Sequence, residues 1–260
     1  MTKGLDCNDD VASADNSVCS VPCTNKTVCP AGYSLVKCEC VPLPDPCETL
    51  KKLNEDIKYK EKLAEVIAKA KIDSTKEYGY SIAKGGTDYV PLPNDSEGNL
   101  DLPNLENFIG TMHNHTLPRT NIKSNGLAGT TEFVQMFSRK DIRTFVTMLN
   151  NTAANGVPIA DVFCTFVNNT GDVYTLKYEG TYNDIKGKSI DINALQKAYD
   201  TNFSDPDAYG GIESAFASFL ELDVKIPGIV VYKTTPGAAP IKLGFTSDGV
   251  RILPSNTPCK

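Results

Sequence analysis

The sequence predicts an α/β (α+β) fold in which helices flank a central mixed sheet, with a small cysteine-rich module in front of it. Segments with helical periodicity alternate with short strand-like runs from residue 48 onward, and seven of the nine cysteines lie before that point. Hydrophobic residues make up 40% of the 260-residue chain and charged residues 22%. That balance is typical of a globular chain with enough apolar surface to bury a core.

The cysteine-rich module is predicted to span residues 1–47. Its density of cysteines and its low apolar content indicate covalent or metal cross-links. The closest pairs, Cys19/Cys23 and Cys38/Cys40, fit two zinc knuckles poorly, so we favour disulfides over zinc or free thiols. Seven is an odd number, so one cysteine either pairs with Cys259 or stays free. The seven are Cys7, Cys19, Cys23, Cys29, Cys38, Cys40 and Cys47.

Net charge and hydropathy limit the classes of partner and the cellular locations that we expect for this chain. The formal net charge is −6 and no basic stripe is present, so we do not expect nucleic acid to be the main partner. No apolar run approaches the roughly 18–20 residues of a membrane span. The start, MTKGLDCNDD, has no signal-peptide features, so the chain is either cytosolic or a mature or excised piece. Disulfides favour an extracytoplasmic or secreted location.

The second predicted domain, residues 48–260, follows the proline-rich joint PLPDPC. Apolar residues recur at three- and four-residue steps over 48–72, which predicts one amphipathic helix. Residues 74–92 predict a strand, a glycine turn and a second strand. After a polar loop, FIGTMHNHT (108–116) predicts a short strand that runs into two histidines.

The next segment, 117–136, is rich in Asn, Gly, Thr and Ser and predicts a long loop of a functional or disordered kind. A helix follows, with Ser138 at the N-cap and Asp141 three residues into it. Residues 160–180 predict a hairpin that turns at Asn-Thr-Gly-Asp. Two helices near 191–202 and 209–221, and short strands within 226–233 and 241–253, complete the domain.

The chemistry centres on the two histidines of the chain, His113 and His115. Residues i and i+2 of a strand project from the same face, so both imidazoles can reach one metal ion. Catalytic zinc takes three protein ligands and leaves one position for water, and Asp141 is a candidate for the third. Simpler roles stay open: the histidines can be exposed polar residues, Ser138 a cap, and Asp141 a favourable charge at a helix N-terminus.

The pattern of a glutamate, then His113-Asn114-His115, then Ser138-Arg139-Lys140-Asp141 resembles the JAMM (JAB/MPN) metallopeptidase family, including JAMM-like domains of Bacteroidetes that follow a cysteine-rich segment. Residues 48–180 carry the motif support, and 181–260 form a C-terminal extension. Two features depart from the family: Thr116 replaces its usual proline, and 22 residues separate His115 from Ser138, more than is usual.

The resemblance implies the roles of the site residues. His113, His115 and Asp141 would hold Zn²⁺, and Glu77 would be the proton-transfer partner. Ser138 would hydrogen-bond to the oxyanion. Glu106 is the competing glutamate, but it lies only seven residues before His113, a poor place for a separate catalytic arm.

The function predicted by this resemblance is zinc-dependent hydrolysis of amide or isopeptide bonds in a protein or peptide substrate. Two alternatives stay open: a binding or scaffold domain that has lost activity, and an effector or toxin module cut from a longer secreted protein. Cys164 lies in the apolar run VFCTFV, which indicates a buried, inert thiol rather than a nucleophile.

Overall fold

The computed structural model describes most of the chain from residue 45 onward. The described ranges are 33–36, 39–42, 45–72, 76–101, 107–116, 119–122, 128–131, 134–154, 158–235, 237–248 and 252–259. Within the predicted cysteine-rich module, the described backbone forms an antiparallel hairpin of β1 (Tyr33–Val36) and β2 (Glu39–Pro42). The side chains of the six cysteines from Cys7 to Cys40 lie outside the described residues, as does Glu106, so the predictions made for them stay predictions.

The segment predicted as one helix forms two, α1 (Pro46–Glu55) and α2 (Ile57–Ile72). Asp56 separates them with an extended backbone, ψ 126°. Its N–H still closes the last turn of α1 on the Lys52 and Leu53 carbonyls, while its carboxylate accepts the Tyr59 N–H at 2.7 Å and caps α2. Hydrophobic periodicity continues through the break, so the pattern alone did not reveal it; the short acidic side chain favours the cap over the helix interior.

The strands that follow build one central sheet and two small hairpins. In chain order they are β3 (Gly79–Ala83), β4 (Tyr89–Pro91), β5 (Phe108–Asn114), β6 (Arg119–Ile122), β7 (Ala128–Thr131), β8 (Phe163–Val167), β9 (Val173–Tyr178), β10 (Ile229–Thr234), β11 (Ile241–Lys242), β12 (Phe245–Ser247), β13 (Ile252–Pro254) and β14 (Thr257–Pro258). The eight-stranded sheet has the order β14-β11-β10-β9-β8-β5-β3-β4. β5 and β8 are parallel and the other neighbours antiparallel, which confirms the mixed sheet.

Helices cover both faces of this sheet and give it two cores. The remaining helices are α3 (Arg139–Ala154), α4 (Tyr182–Ile185), α5 (Gln196–Ser204) and α6 (Ile212–Phe219). On one face, α3, α5 and α6 bury the larger core, to which β8 contributes Phe166. On the other face, α2 packs Tyr59 and Val66 against Met112 and Phe163. We call these the α3 face and the α2 face.

Two segments differ from their predictions. The region predicted as a loop, 117–136, contains the antiparallel hairpin of β6 and β7. The sequence did not predict these strands because neither of them has an apolar run. The short helix α4 was not predicted. A capping box stabilises its first turn, in which the side chains of Thr181 and Asp184 each accept a hydrogen bond from the backbone N–H of the other residue.

The cysteine predictions divide into tested and untested parts. Cys47, at the start of α1, forms a disulfide with Cys259, which confirms one of the two alternatives for the odd cysteine. Cys164 is a buried free thiol, as predicted. Among the described helices, none is long and apolar enough to cross a membrane.

Candidate metal centre

The two histidines lie at the carboxyl end of β5, in the middle of the central sheet. His113 stands beside Gly79 of β3 and Phe166 of β8, and His115 follows the last residue of the strand. A side chain at position 79 would put its Cβ 2.6 Å from the Met112 carbonyl oxygen and 2.9 Å from the His113 Cβ. Glycine is therefore needed there for β3 to pack this closely against the site.

The third residue, Asp141, lies in the first turn of α3. Its N–H donates to Ser138 Oγ at 3.3 Å, and its Oδ2 accepts the Ser138 N–H at 2.6 Å. This reciprocal pair is a capping box with aspartate in place of the usual glutamate. The shorter side chain stays close to the helix end, and the carboxylate is fixed facing the histidines. The predicted N-cap and N3 positions are confirmed.

The three side chains converge. Asp141 Oδ1 lies 3.2 Å from His113 Nε2, and Oδ2 lies 3.2 Å from His115 Nε2. One ligand atom from each residue can be chosen so that all lie within 4.8 Å of one another. Tetrahedral zinc with ligands at about 2.0–2.1 Å separates neighbouring ligand atoms by about 3.3 Å. The buried group formed by His113, His115 and Asp141 is thus able to bind a metal ion.

The hydrogen bonding of the two imidazoles is compatible with a bound metal ion. His113 Nε2 is buried and lies 3.2 Å from Asp141 Oδ1, and among the described residues it makes no hydrogen bond. His115 Nδ1 lies 3.3 Å from the Val134 carbonyl oxygen. Its Nε2 lies 3.2 Å from Asp141 Oδ2. In the neutral imidazole that donates from Nδ1, the lone pair of Nε2 is available to a metal. A buried nitrogen without a partner is costly unless something occupies the site.

Burial and charge act in opposite directions on the carboxylate. Burial alone would raise the pKa of Asp141, but His113 and His115 outweigh it and hold that pKa well below its usual range. Burial would lower the pKa of His115, and the contacts with Asp141, with a smaller contribution from the Glu77 charge, raise it instead. Phe166 lies against both imidazoles, with its ring centre 4.5 Å from that of His115.

Glu77, the predicted proton-transfer residue, precedes β3 and is half-buried. Its charge contributes to the raised pKa of His115, so it lies within electrostatic reach of the site. Its Oε2 accepts the Leu100 N–H at 2.9 Å, and its own N–H donates to the Gly98 carbonyl. These two bonds fix Glu77 against the loop that contains Gly98 and Leu100. No hydrogen bond joins Glu77 to the three ligands among the described residues.

One buried residue of the site was not singled out from the sequence. Asn114, between the histidines, points to the opposite side of β5. Its Oδ1 accepts the Tyr78 N–H at 2.7 Å and its Nδ2 donates to the His115 carbonyl at 3.1 Å. It therefore ties the Glu77–Tyr78 segment to the strand that carries the histidines. The alternation of side chains along a strand was the signal that could have separated its role from theirs.

Ser138 is half-buried beside the ligands. Its hydroxyl oxygen accepts the Asp141 N–H, which leaves its own proton to be donated elsewhere. Capping and donation to a substrate are therefore compatible in this geometry.

Comparisons with protein-family models, with curated proteins and with solved structures give no match for this chain. The resemblance to the JAMM family therefore stays a prediction from the sequence motifs.

Proposed function

We propose that this chain is a zinc-dependent hydrolase of amide or isopeptide bonds, of the JAMM type. The observation that carries the proposal is the convergence of the buried side chains of His113, His115 and Asp141 at the end of β5. Two nitrogen donors and one carboxylate are a ligand set used by catalytic zinc, which keeps a further position for water. Zinc rather than another metal is part of the proposal.

The side chains around the proposed zinc would have separate catalytic roles. When bound, zinc would supply the Lewis acidity that makes water nucleophilic near neutral pH. Glu77 would accept a proton on Oε1, because Oε2 already takes the Leu100 N–H, and would return it to the leaving amine. The Ser138 hydroxyl would donate to the carbonyl oxygen as it gains negative charge. We propose a protein or peptide substrate in an extracytoplasmic location, which the Cys47–Cys259 disulfide supports.

A second candidate is a scaffold domain whose metal ion is only structural. The three ligand residues are each at most 9% exposed, and neither of two cavities that the described residues form is lined by any of them. The Glu77 carboxylate also has a structural partner in Leu100. A closed site is typical of structural rather than catalytic zinc.

Metal content is the first test. We expect purified wild-type protein to contain about one zinc per chain, measured by mass spectrometry of the intact folded protein and by elemental analysis. His113→Ala should lose it. Lys140→Ala is the matched control, because Lys140 lies on the same helical turn with an exposed side chain and is not among the ligands. Wild-type protein that stays metal-free in excess zinc would reject both candidates.

Activity separates the two candidates once zinc is present. We expect zinc-loaded protein to cleave either unstructured protein or isopeptide-linked ubiquitin-like chains, the substrates that the resemblance implies. Glu77→Gln should retain zinc and lower the rate by roughly 100-fold or more, because it removes the proton acceptor. Cleavage that is unchanged in Glu77→Gln would refute the assigned role, and zinc binding without any cleavage would favour the scaffold.

A further inference from the structure

The α2 face carries a cavity that the proposed function does not use. It has a volume of about 920 Å³ and lies between the bend where α1 meets α2 and the sheet beneath. Its lining combines charged side chains, among them Lys177, with apolar side chains that include Ile82, Ile109 and Phe163. This size is within the range of pockets that bind small molecules.

The cavity is separate from the metal centre. Lys177 alternates along β9 with Leu176 and Tyr178, which belong to the α3-face core, so it points to the α2 face. Phe163 and Ile109 stand near the first residues of two parallel strands, β8 and β5, whereas His113 stands near the last residue of β5. The two sites therefore occupy opposite faces and opposite ends of the sheet.

Lys177 is the unusual feature of this cavity. Only 1% of its surface is exposed, and its ammonium donates to the Ala160 carbonyl oxygen at 2.6 Å. An ammonium has three N–H donors, and the described residues provide this one acceptor. Burial lowers the pKa of Lys177 to about 8, against the opposing effect of the Asp161 charge. A buried, under-satisfied cation is costly, and an acceptor brought by a ligand would reduce that cost.

The acidic and the basic side chains of the lining differ in how deeply they are buried. Glu55, Asp56 and Asp161 are all exposed, and the Asp56 carboxylate is already used to cap α2. Water therefore screens the acidic groups at the mouth, while the one buried charged side chain of the lining is cationic. The lining also carries two exposed lysines, two threonines and a glycine, and its other side chains are aliphatic or aromatic. A ligand that fits has an apolar body and a single anionic end.

We propose that this cavity binds a monocarboxylic acid with an apolar chain, with its carboxylate on the Lys177 ammonium and its chain along Ile82, Ile109 and Phe163. Because Lys177 forms the floor, its side chain moves slightly into the cavity to meet the acid and can keep the Ala160 bond. The resulting charge-assisted hydrogen bond is stronger than a neutral one. The inference does not depend on the metal centre or on hydrolysis.

The test uses sodium octanoate as the probe and 1-octanol, which has the same chain without the charge, as its matched ligand. Calorimetric titration of wild-type protein should show octanoate binding more tightly than octanol. Lys177→Met, which keeps the length of the side chain, should weaken octanoate binding by roughly 10- to 100-fold, the loss expected for a hydrogen bond to a charged group. Octanol should bind wild type and variant equally.

A control variant and a map of the site complete the test. Lys60→Met removes an exposed charge from α2 outside the cavity and should leave octanoate affinity unchanged. In the wild-type protein, NMR shifts caused by octanoate should concentrate at Ile82, Ile109 and Phe163, which decides the matter even if Lys177→Met does not fold. Absence of octanoate binding at millimolar concentration, shifts elsewhere, or equal affinity in a folded Lys177→Met protein would overturn the proposal.

Discussion

Replacement of Lys177 by methionine should change the way in which stability depends on pH. In the folded protein, burial moves the pKa of Lys177 from the ordinary value of 10.5 to about 8. The unfolded chain therefore binds more protons between these two values, and the free energy of unfolding rises with pH across that window. Below about pH 8 the burial of the charged lysine costs about 3 kcal/mol, because each pKa unit is worth about 1.4 kcal/mol.

The methionine variant lacks this titration. The difference in free energy of unfolding, wild type minus Lys177→Met, should therefore grow by about 2–3 kcal/mol between pH 7 and pH 10. At neutral pH the variant has no buried charge, which raises its free energy of unfolding. It also leaves the Ala160 carbonyl without its hydrogen-bond donor, which lowers the free energy of unfolding by about 1–3 kcal/mol. The two effects nearly cancel, so the absolute stability at a single pH is not diagnostic.

Urea denaturation followed by circular dichroism, at four pH values from 7 to 10, measures the difference. Tyrosines such as Tyr174, whose pKa burial raises in the folded protein, titrate near pH 10 in the unfolded chain. They are present in both proteins, so their effect on the difference cancels. A difference that stays constant from pH 7 to pH 10 would show that Lys177 is not a buried cation in the folded state. That result would also remove the basis for the carboxylate site.

Three further outcomes are expected. The Cys47–Cys259 bond joins residues 212 positions apart, so the double Cys→Ser variant should lose about 5 kcal/mol of unfolding free energy in urea; unchanged stability would contradict it. Zinc at about 100 times its Kd should raise the unfolding free energy by about 2.7 kcal/mol, and His113→Ala should abolish the gain. Gly79→Ala would bring its Cβ within 2.6 Å of the Met112 carbonyl oxygen, so it should lower the melting temperature and weaken zinc binding. An increase in melting temperature on zinc addition as large as that of the wild type would refute this.

Local pattern was sufficient for most of the elements. The glycine turn after Ala83, the strand that carries the histidines, and the hairpin of β8 and β9 all agree with their predictions. Each has a clear two-residue alternation or turn signal, so the information lies within a few neighbouring residues. The break at Asp56 was missed because a single capping hydrogen bond outweighed a helical pattern that continues on both sides of it.

The candidate metal ligands could be predicted only in part from neighbouring residues. Two histidines two residues apart on a strand share a face whatever the rest of the fold does, and the Ser138–Asp141 pair signals a helix start. Their meeting depends on the crossover from β5 through α3 to the parallel strand β8, since a parallel pair requires such a connection. That topology brings the first turn of α3 to the carboxyl end of β5.

The sequence by itself therefore determined the α/β class, the shared face of His113 and His115, and the capped helix that carries Asp141, because each of these depends on neighbours along the chain. Only the tertiary structure decided that the three candidate ligands meet and that Asn114 ties the Glu77 segment to the strand that carries the histidines. It also decided that Lys177 lies buried under a cavity on the other face. Each of these contacts joins residues that are far apart in the chain. Their distances are therefore set by the pairing of the strands and by the packing of the helices on the sheet.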